Sequence, residues 1–380
     1  LSSSGIREIF NHAWEIEQKC GRVWHLEIGR PDWKLPPGAA QAAKQALDEG
    51  FIHYIANRGL LELRQAISDE LKHTTGYTFD PENEIIVSTG ASEGLAMCAL
   101  ALLGPGDEMI VPEPAWPHYR AVAEMAGAIP LSLSLSPDDG YLLDPEAVAK
   151  KITSKTRMLV VNNPNNPTGA VLPKEFLLEI AALAQRHGFF VLADEVYQDF
   201  IYEGQHHSLA AIMGESELLI LLNSFSKSYA MTGWRIGYVA ANARISDAFN
   251  RVHQYLTVCG VAFAQKGAVR VLLHPQRQSY LDEMRQAFFK RYTVWLDAFG
   301  DCPGVQLVPP GGAFYIFPRI MHKGMSGREF CRYMMEEQHV AMTPGEIFGE
   351  AYSQHVRISY GCDIETQRVA AAKVLEVLHA

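Results

Sequence analysis

The stretch NSFSKSYAMTGWRIGY, from Asn223 to Tyr238, sets one lysine, Lys227, just after the apolar run LLILL and eight residues before Arg235. A lysine screened from water loses proton affinity and becomes a nucleophile toward carbonyls, the Schiff-base route of covalent catalysis. The ordinary alternative is a lysine that lays its stem on the surface and its ammonium in water. Small, hydroxylic neighbours at a strand end argue against it.

An aldehyde cofactor attached there needs a carboxylate for a pyridinium nitrogen, a donor to the ring hydroxyl, a flat side chain over the ring and a cradle for phosphate. Asp194 ends the apolar run FFVLAD, where a carboxylate is costly without a cationic partner. On local sequence alone a helix N-cap or turn role is equally open to it. GASEG after EIIVST fits a strand-to-helix turn whose free amides and dipole favour an anion. Ser224 and Arg235 can complete that cradle, since a guanidinium offers phosphate a two-pronged fork. Trp116, in PEPAWPHY, reads by type more readily as core than as a stacking platform.

These groups must be carried by elements that end on one face. From about residue 84 to 240 the short apolar runs EIIVSTG, EMIVPEP, RMLVVNNP, FFVLADE, LLILLNSF and RIGYVA alternate with helical patterns. That alternation predicts a mostly parallel, doubly wound α/β sheet, whose ligands collect at the carboxyl ends of the strands. The connection from LLILLNSF to RIGYVA is too short for a parallel crossover, so the last strand is expected to be antiparallel. PKEFLLEIAALAQRHG predicts a helix with Pro173 in its first turn and Gly188 at its C-terminal cap. Beyond residue 280, long amphipathic helices alternate with short strands, and Ser326 with Glu329 forms a capping-box pattern. We expect a large domain over 41–285 and a smaller α+β domain made of 1–40 and 286–380.

Composition narrows the function. The 380-residue chain carries a net charge of −10, which argues against non-specific binding to nucleic acid or anionic membrane. No apolar stretch approaches the roughly 20 residues of a membrane span. The six cysteines are scattered, with no CxxC and no zinc-like spacing to histidine, and read as reduced thiols of a cytoplasmic protein. The opening LSSSGIREIFNHAWEIEQKC lacks the order of a signal peptide, and it lacks Met, so the natural start is expected upstream. His206-His207 is the one close histidine pair, and adjacent residues point apart, so exposed loop histidines are expected rather than a metal site.

In chain order, YIANRGLLELR from Tyr54, STGASEGL from Ser88, PEPAWPHY, NNPNNPTG from Asn162, LADEVY, SFSKSYAMTGWRIGY, PGGAFYIF and HVRISYG resemble the class I, fold type I, pyridoxal-phosphate-dependent aminotransferases. The likeness runs along nearly the whole chain. It implies a seven-stranded-type sheet and pyridoxal 5'-phosphate as cofactor. Lys227 would form the internal aldimine and shuttle the substrate proton, and Asp194 would keep the ring nitrogen protonated. Asn166 and Tyr197 would bond the ring oxygen, with Trp116 stacked on the ring. Ala91, Ser92, Ser224 and Arg235 would hold the phosphate. Tyr54 would reach the neighbouring subunit's cofactor, which implies a homodimer. Arg357, which by residue type alone reads as a surface strand arginine, would bind the substrate α-carboxylate, with Gly29 in the segment that closes over it.

The implied reaction exchanges an amino group between an L-amino acid and a 2-oxo acid in two half-reactions. Arg30 stands where many relatives carry Glu or Gln, and Ser92 where some aspartate-using relatives carry Lys. Side-chain specificity stays open, with Trp14, Trp33, Tyr54, His118, Tyr119 and Tyr255 as candidate pocket residues. A β-eliminating lyase or a cyclopropane-forming synthase on the same scaffold is the nearest rival, since the same carbanion serves several reactions. A regulatory module is less favoured, because no basic helix-turn-helix accompanies these motifs.

Overall fold

A computed structural model describes residues 5–380; the first four residues of the N-terminal stretch lie outside it. Its centre is a seven-stranded sheet in the order Ile85–Ser88, Gly237–Ala241, Leu219–Ser224, Phe190–Asp194, Thr156–Asn162, Glu108–Glu113, Ile129–Ser134. Gly237–Ala241 runs antiparallel to both its neighbours, and the other pairings are parallel. The short connection after Leu219–Ser224 therefore reverses the chain, as its length predicts.

The apolar runs are continuous because both sheet faces are covered. Alternate residues of one strand enter different cores. Leu159, Val161, Val191, Ala193, Leu219 and Leu221 lie in one cluster. Met158, Val160, Phe190, Leu192, Ile220 and Leu222 lie in the other. Helices pack on the sheet through these faces, among them Lys174–His187, capped by Gly188 at φ 74°. Pro173 stands one position outside that helix, at its N-cap, where its missing N–H costs nothing.

The first of these cores continues past the sheet through Phe314, Ile316, Val340 and Ile358. There the strands are short. Tyr315–Ile316 and Thr343–Pro344 flank Val356–Ser359, both antiparallel to it. Trp24–His25 pairs in parallel with Val340–Ala341, so the start of the chain is stitched to its last third. The helix Gly327–Gln338 opens on the capping box: Ser326 Oγ accepts the Glu329 amide, and Glu329 accepts the Ser326 amide at 2.8 Å. Among the described residues no helix is long and apolar enough to cross a membrane.

Candidate active site

Five strands deliver polar groups to one edge of the sheet. Thr89 follows Ile85–Ser88, Trp116 lies just beyond Glu108–Glu113, and Asn162, Asp194 and Ser224 end their own strands. A cavity of about 620 Å³ opens there, lined by Ala91, Ser92, Trp116, Asn166, Asp194, Tyr197, Ser224, Lys227, Arg235, Gly29 and Arg357. Eleven of the twelve residues singled out for the site in the sequence thus share one cavity. Tyr54 is the exception: it is 85% exposed and absent from the lining.

Lys227 sits on the single helical turn Phe225–Ser228, whose N-cap is Ser224. The Ser224 hydroxyl accepts the Ser226 amide at 3.0 Å and donates to the Ile236 carbonyl at 3.2 Å. That cap fixes where the lysine leaves the strand. Lys227 Nζ donates to the Gly29 carbonyl at 2.6 Å. Burial, then the charges of Arg357 and Arg235, hold its pKa down to about 8, with Asp194 opposing. Near neutral pH a useful fraction of the amine is therefore free.

Asp194 is 2% exposed, and burial pushes its carboxyl up to about 6. The Tyr119 hydroxyl opposes that shift by donating to Oδ2 at 2.7 Å, as does the Val196 amide at 3.3 Å. A buried carboxylate held by two donors and aimed into a cavity suits a cationic partner. Tyr197 meets the hydroxyl of Tyr315 at 2.9 Å. Trp116 presents its ring to the cavity while His118 stacks on it, with ring centroids 3.9 Å apart.

Arg357 is 2% exposed. Its Nη1 donates to Asn166 Oδ1 at 3.1 Å and its Nη2 to the Glu27 carbonyl, while Nε is buried without a partner. Tyr315 and Phe348 lie within 4.8 Å of its guanidinium carbon. A guanidinium with a spare buried donor, facing a cavity, is set to receive a carboxylate. Arg235, which also lines the cavity, adopts φ 55° and donates to the carbonyls of Thr232 at 3.1 Å and Thr89 at 3.4 Å. It closes on Gly90, which has φ 76°; a Cβ there would lie 2.4 Å from Arg235 Nη2. Only glycine fits that turn.

The sequence profile described as "Aminotransferase class I and II" matches residues 22–374. The chain belongs to that family. It is 38% identical to an aspartate aminotransferase of Pyrococcus horikoshii, over 96% of this chain and 92% of the relative. It is 36% identical to aromatic-amino-acid aminotransferase 2 of Thermococcus litoralis, over 100% and 96%. Among solved structures, the Thermus thermophilus aspartate aminotransferase with maleate superposes with a TM-score of 0.95 at 32% identity, over 99% of this chain and 97% of that one. This aminotransferase has the fold type I architecture of those relatives, and the comparisons favour transamination over the lyase alternative.

Several expectations need correction. Of the candidate pocket aromatics, only Tyr119 lines the aminotransferase cavity. Trp14 and Tyr255 are 54% and 91% exposed, Trp33 packs on the core, and His118 lies behind Trp116. His206 is mostly buried rather than an exposed loop histidine, 3.9 Å from the Glu195 carboxylate. Sequence reasoning missed Tyr315 as a cavity residue and Tyr119 as the partner of Asp194. It also missed Ile6, Arg7 and Phe10, which the helix Gly5–Cys20 brings to the rim. One signal was available for Tyr315: a Cβ at Gly29 would fall 1.8 Å from its hydroxyl, so Gly29 marks a close approach.

Proposed function

We propose that this aminotransferase holds pyridoxal 5'-phosphate in the cavity at Lys227 and moves the α-amino group of an L-amino acid to a 2-oxo acid. The observation that carries this reading is the buried Lys227 amine, sharing one cavity with Asp194, Arg235 and Arg357. When bound, the cofactor supplies the aldehyde that accepts the amino group and the ring that takes up the electron pair of the Cα–H bond.

The residues present fit that group. Gly90, Ala91 and Ser92 at a helix start, with Ser224 and Arg235, offer a phosphate cradle. Asp194 offers the carboxylate that keeps a ring nitrogen protonated. Asn166 and Tyr197 have groups able to bond the ring oxygen, and Trp116 a face to stack on it. Arg357 receives the substrate carboxylate, which aims the Cα–H bond at the lysine. Lys227 Nζ, once released, takes that proton and returns it, a task matched to an amine with pKa about 8.

The working unit in this reading is a homodimer in the cytoplasm, built from a large domain over 41–285 and a small one made of 1–40 and 286–380. Ile52, Tyr54 and Tyr255 are 67%, 85% and 91% exposed. Asn57 ties their two segments together through the Val258 carbonyl at 2.6 Å. A second copy covering that strip would carry Tyr54 to the neighbouring site. Acidic donors are favoured, because Arg7 and Arg30 line the cavity and neither has an ion-pair partner among the described residues. Relatives named for aspartate and for aromatic amino acids agree with acidic and aromatic donors both.

The test is a panel of amino acids added singly to the holoenzyme. The cofactor absorbance should shift in proportion to donor to that of the aminated form, without ammonia release, and Lys227→Ala should not turn over. A cofactor that keeps its aldehyde spectrum with every donor sinks the proposal.

A further inference from the structure

Glu93 lies one turn into the helix Gly90–Leu102 and is not part of the cavity lining. Its side chain is 9% exposed and gathers three donors. Oε2 accepts the backbone N–H of Thr89, the residue just before the cradle turn. Oε1 accepts the Thr257 hydroxyl at 2.6 Å and lies 2.8 Å from Nδ1 of His253, a fully buried ring. The Thr89 carbonyl in turn receives Arg235 Nη2. One carboxylate therefore joins the end of the helix Ala243–Leu256 to the turn on which Gly90 and Arg235 meet.

A helix start welcomes one anion, but a second one beside a bound phosphate is repelled by it. A carboxylate at the start of this helix competes with phosphate for the same positive helix end. Its three donors keep it ionised, at a pKa of about 2, despite the burial that opposes them.

We propose that Glu93 is a positioning residue for the phosphate cradle: by holding the Thr89 amide against His253 and Thr257, it sets the Gly90 turn and the Arg235 guanidinium for a phosphate ester. The proposal rests on the reading that pyridoxal 5'-phosphate occupies the cavity. It assigns Glu93 to the phosphate alone, not to the ring.

The experiment compares Kd for pyridoxal 5'-phosphate and for pyridoxal, which lacks the phosphate, by absorbance titration of the cofactor-free protein. In Glu93→Leu the phosphate ester should bind about tenfold more weakly or worse, the weight of one charge-assisted hydrogen bond, while pyridoxal is unchanged within about twofold. Glu93→Gln keeps an acceptor for the Thr89 amide and should recover most of the affinity. Thr89→Pro deletes that amide at φ −76°, which proline adopts, and should reproduce the selective loss if Glu93→Leu does not fold. Equal binding of the phosphate ester by variant and wild type overturns the assignment, as does an equal loss for both ligands. Wild-type protein that takes up no pyridoxal 5'-phosphate refutes the cofactor reading, and this role with it.

Discussion

Tyr119→Phe removes one hydroxyl and leaves the ring, so a buried side chain keeps its packing while Asp194 Oδ2 loses its one side-chain donor among the described residues. The Val196 amide stays on Oδ1. That hydroxyl favours the ionised carboxylate, so its loss raises the pKa. A hydrogen bond to a charged group contributes about 1.5–3 kcal/mol, and about 1.4 kcal/mol corresponds to one pH unit. The carboxyl, already pushed up to about 6, should therefore move up by roughly one to two units. A bound pyridinium lowers the value in both proteins, so the difference between them is the quantity to read. The assay is the pH profile of kcat/KM for the preferred donor. The acid limb should shift alkaline by roughly one to two units. The variant should approach wild type near about pH 9 and fall roughly tenfold or more behind it on the acid side. An acid limb that does not move, or a loss equal at every pH, refutes the claim that Tyr119 acts by keeping Asp194 ionised.

Arg357→Lys keeps the charge but loses the fork that meets Asn166 and the Glu27 carbonyl; we expect KM for the amino donor to rise by roughly 10–100-fold, measured by steady-state kinetics with kcat less affected. Glu195 is buried beside Asp194 with its carboxyl raised to about 7. A carboxyl raised on folding lends stability below its unfolded pKa that is lost as pH rises through the folded value. Glu195→Gln should therefore raise the melting temperature of the cofactor-free protein at about pH 8 and not at about pH 5, and thermal melts with equal shifts at both would refute this.

What could be read from the sequence was local. Lys227 announced itself because a charged residue follows LLILL, and the antiparallel strand Gly237–Ala241 because its connection is short. The capping box at Ser326 and Glu329 is likewise a matter of neighbouring residues. What stayed hidden depends on distance along the chain. Tyr119 and Asp194 are 75 residues apart, and Tyr197 and Tyr315 are 118 apart; nothing in either neighbourhood names the other. The aromatic candidates failed for a related reason, since residue type does not give direction. Phe10 reaches the cavity, while Trp14, one turn further along the same helix, is about 6 Å along the axis and lies in solvent. The roles within the site came from motif likeness, and the partners that tune them came only with the fold.

The pairing of Trp24–His25 with Val340–Ala341 also orders events in time. The segment that gives its Glu27 carbonyl to Arg357 and its Gly29 carbonyl to Lys227 is made at the start of synthesis. Lys227 follows Gly29 by 198 residues, and Val340–Ala341 and Arg357 emerge more than three hundred residues after that segment. At roughly 5–20 residues per second, that is on the order of half a minute. During that interval the central sheet can assemble, but Trp24–His25 have no strand to pair with and the Glu27 carbonyl has no guanidinium to receive. The newborn chain acquires its framework first and its reactive centre last, so a polypeptide broken off before Arg357 keeps the strands of the central sheet and lacks a finished cavity.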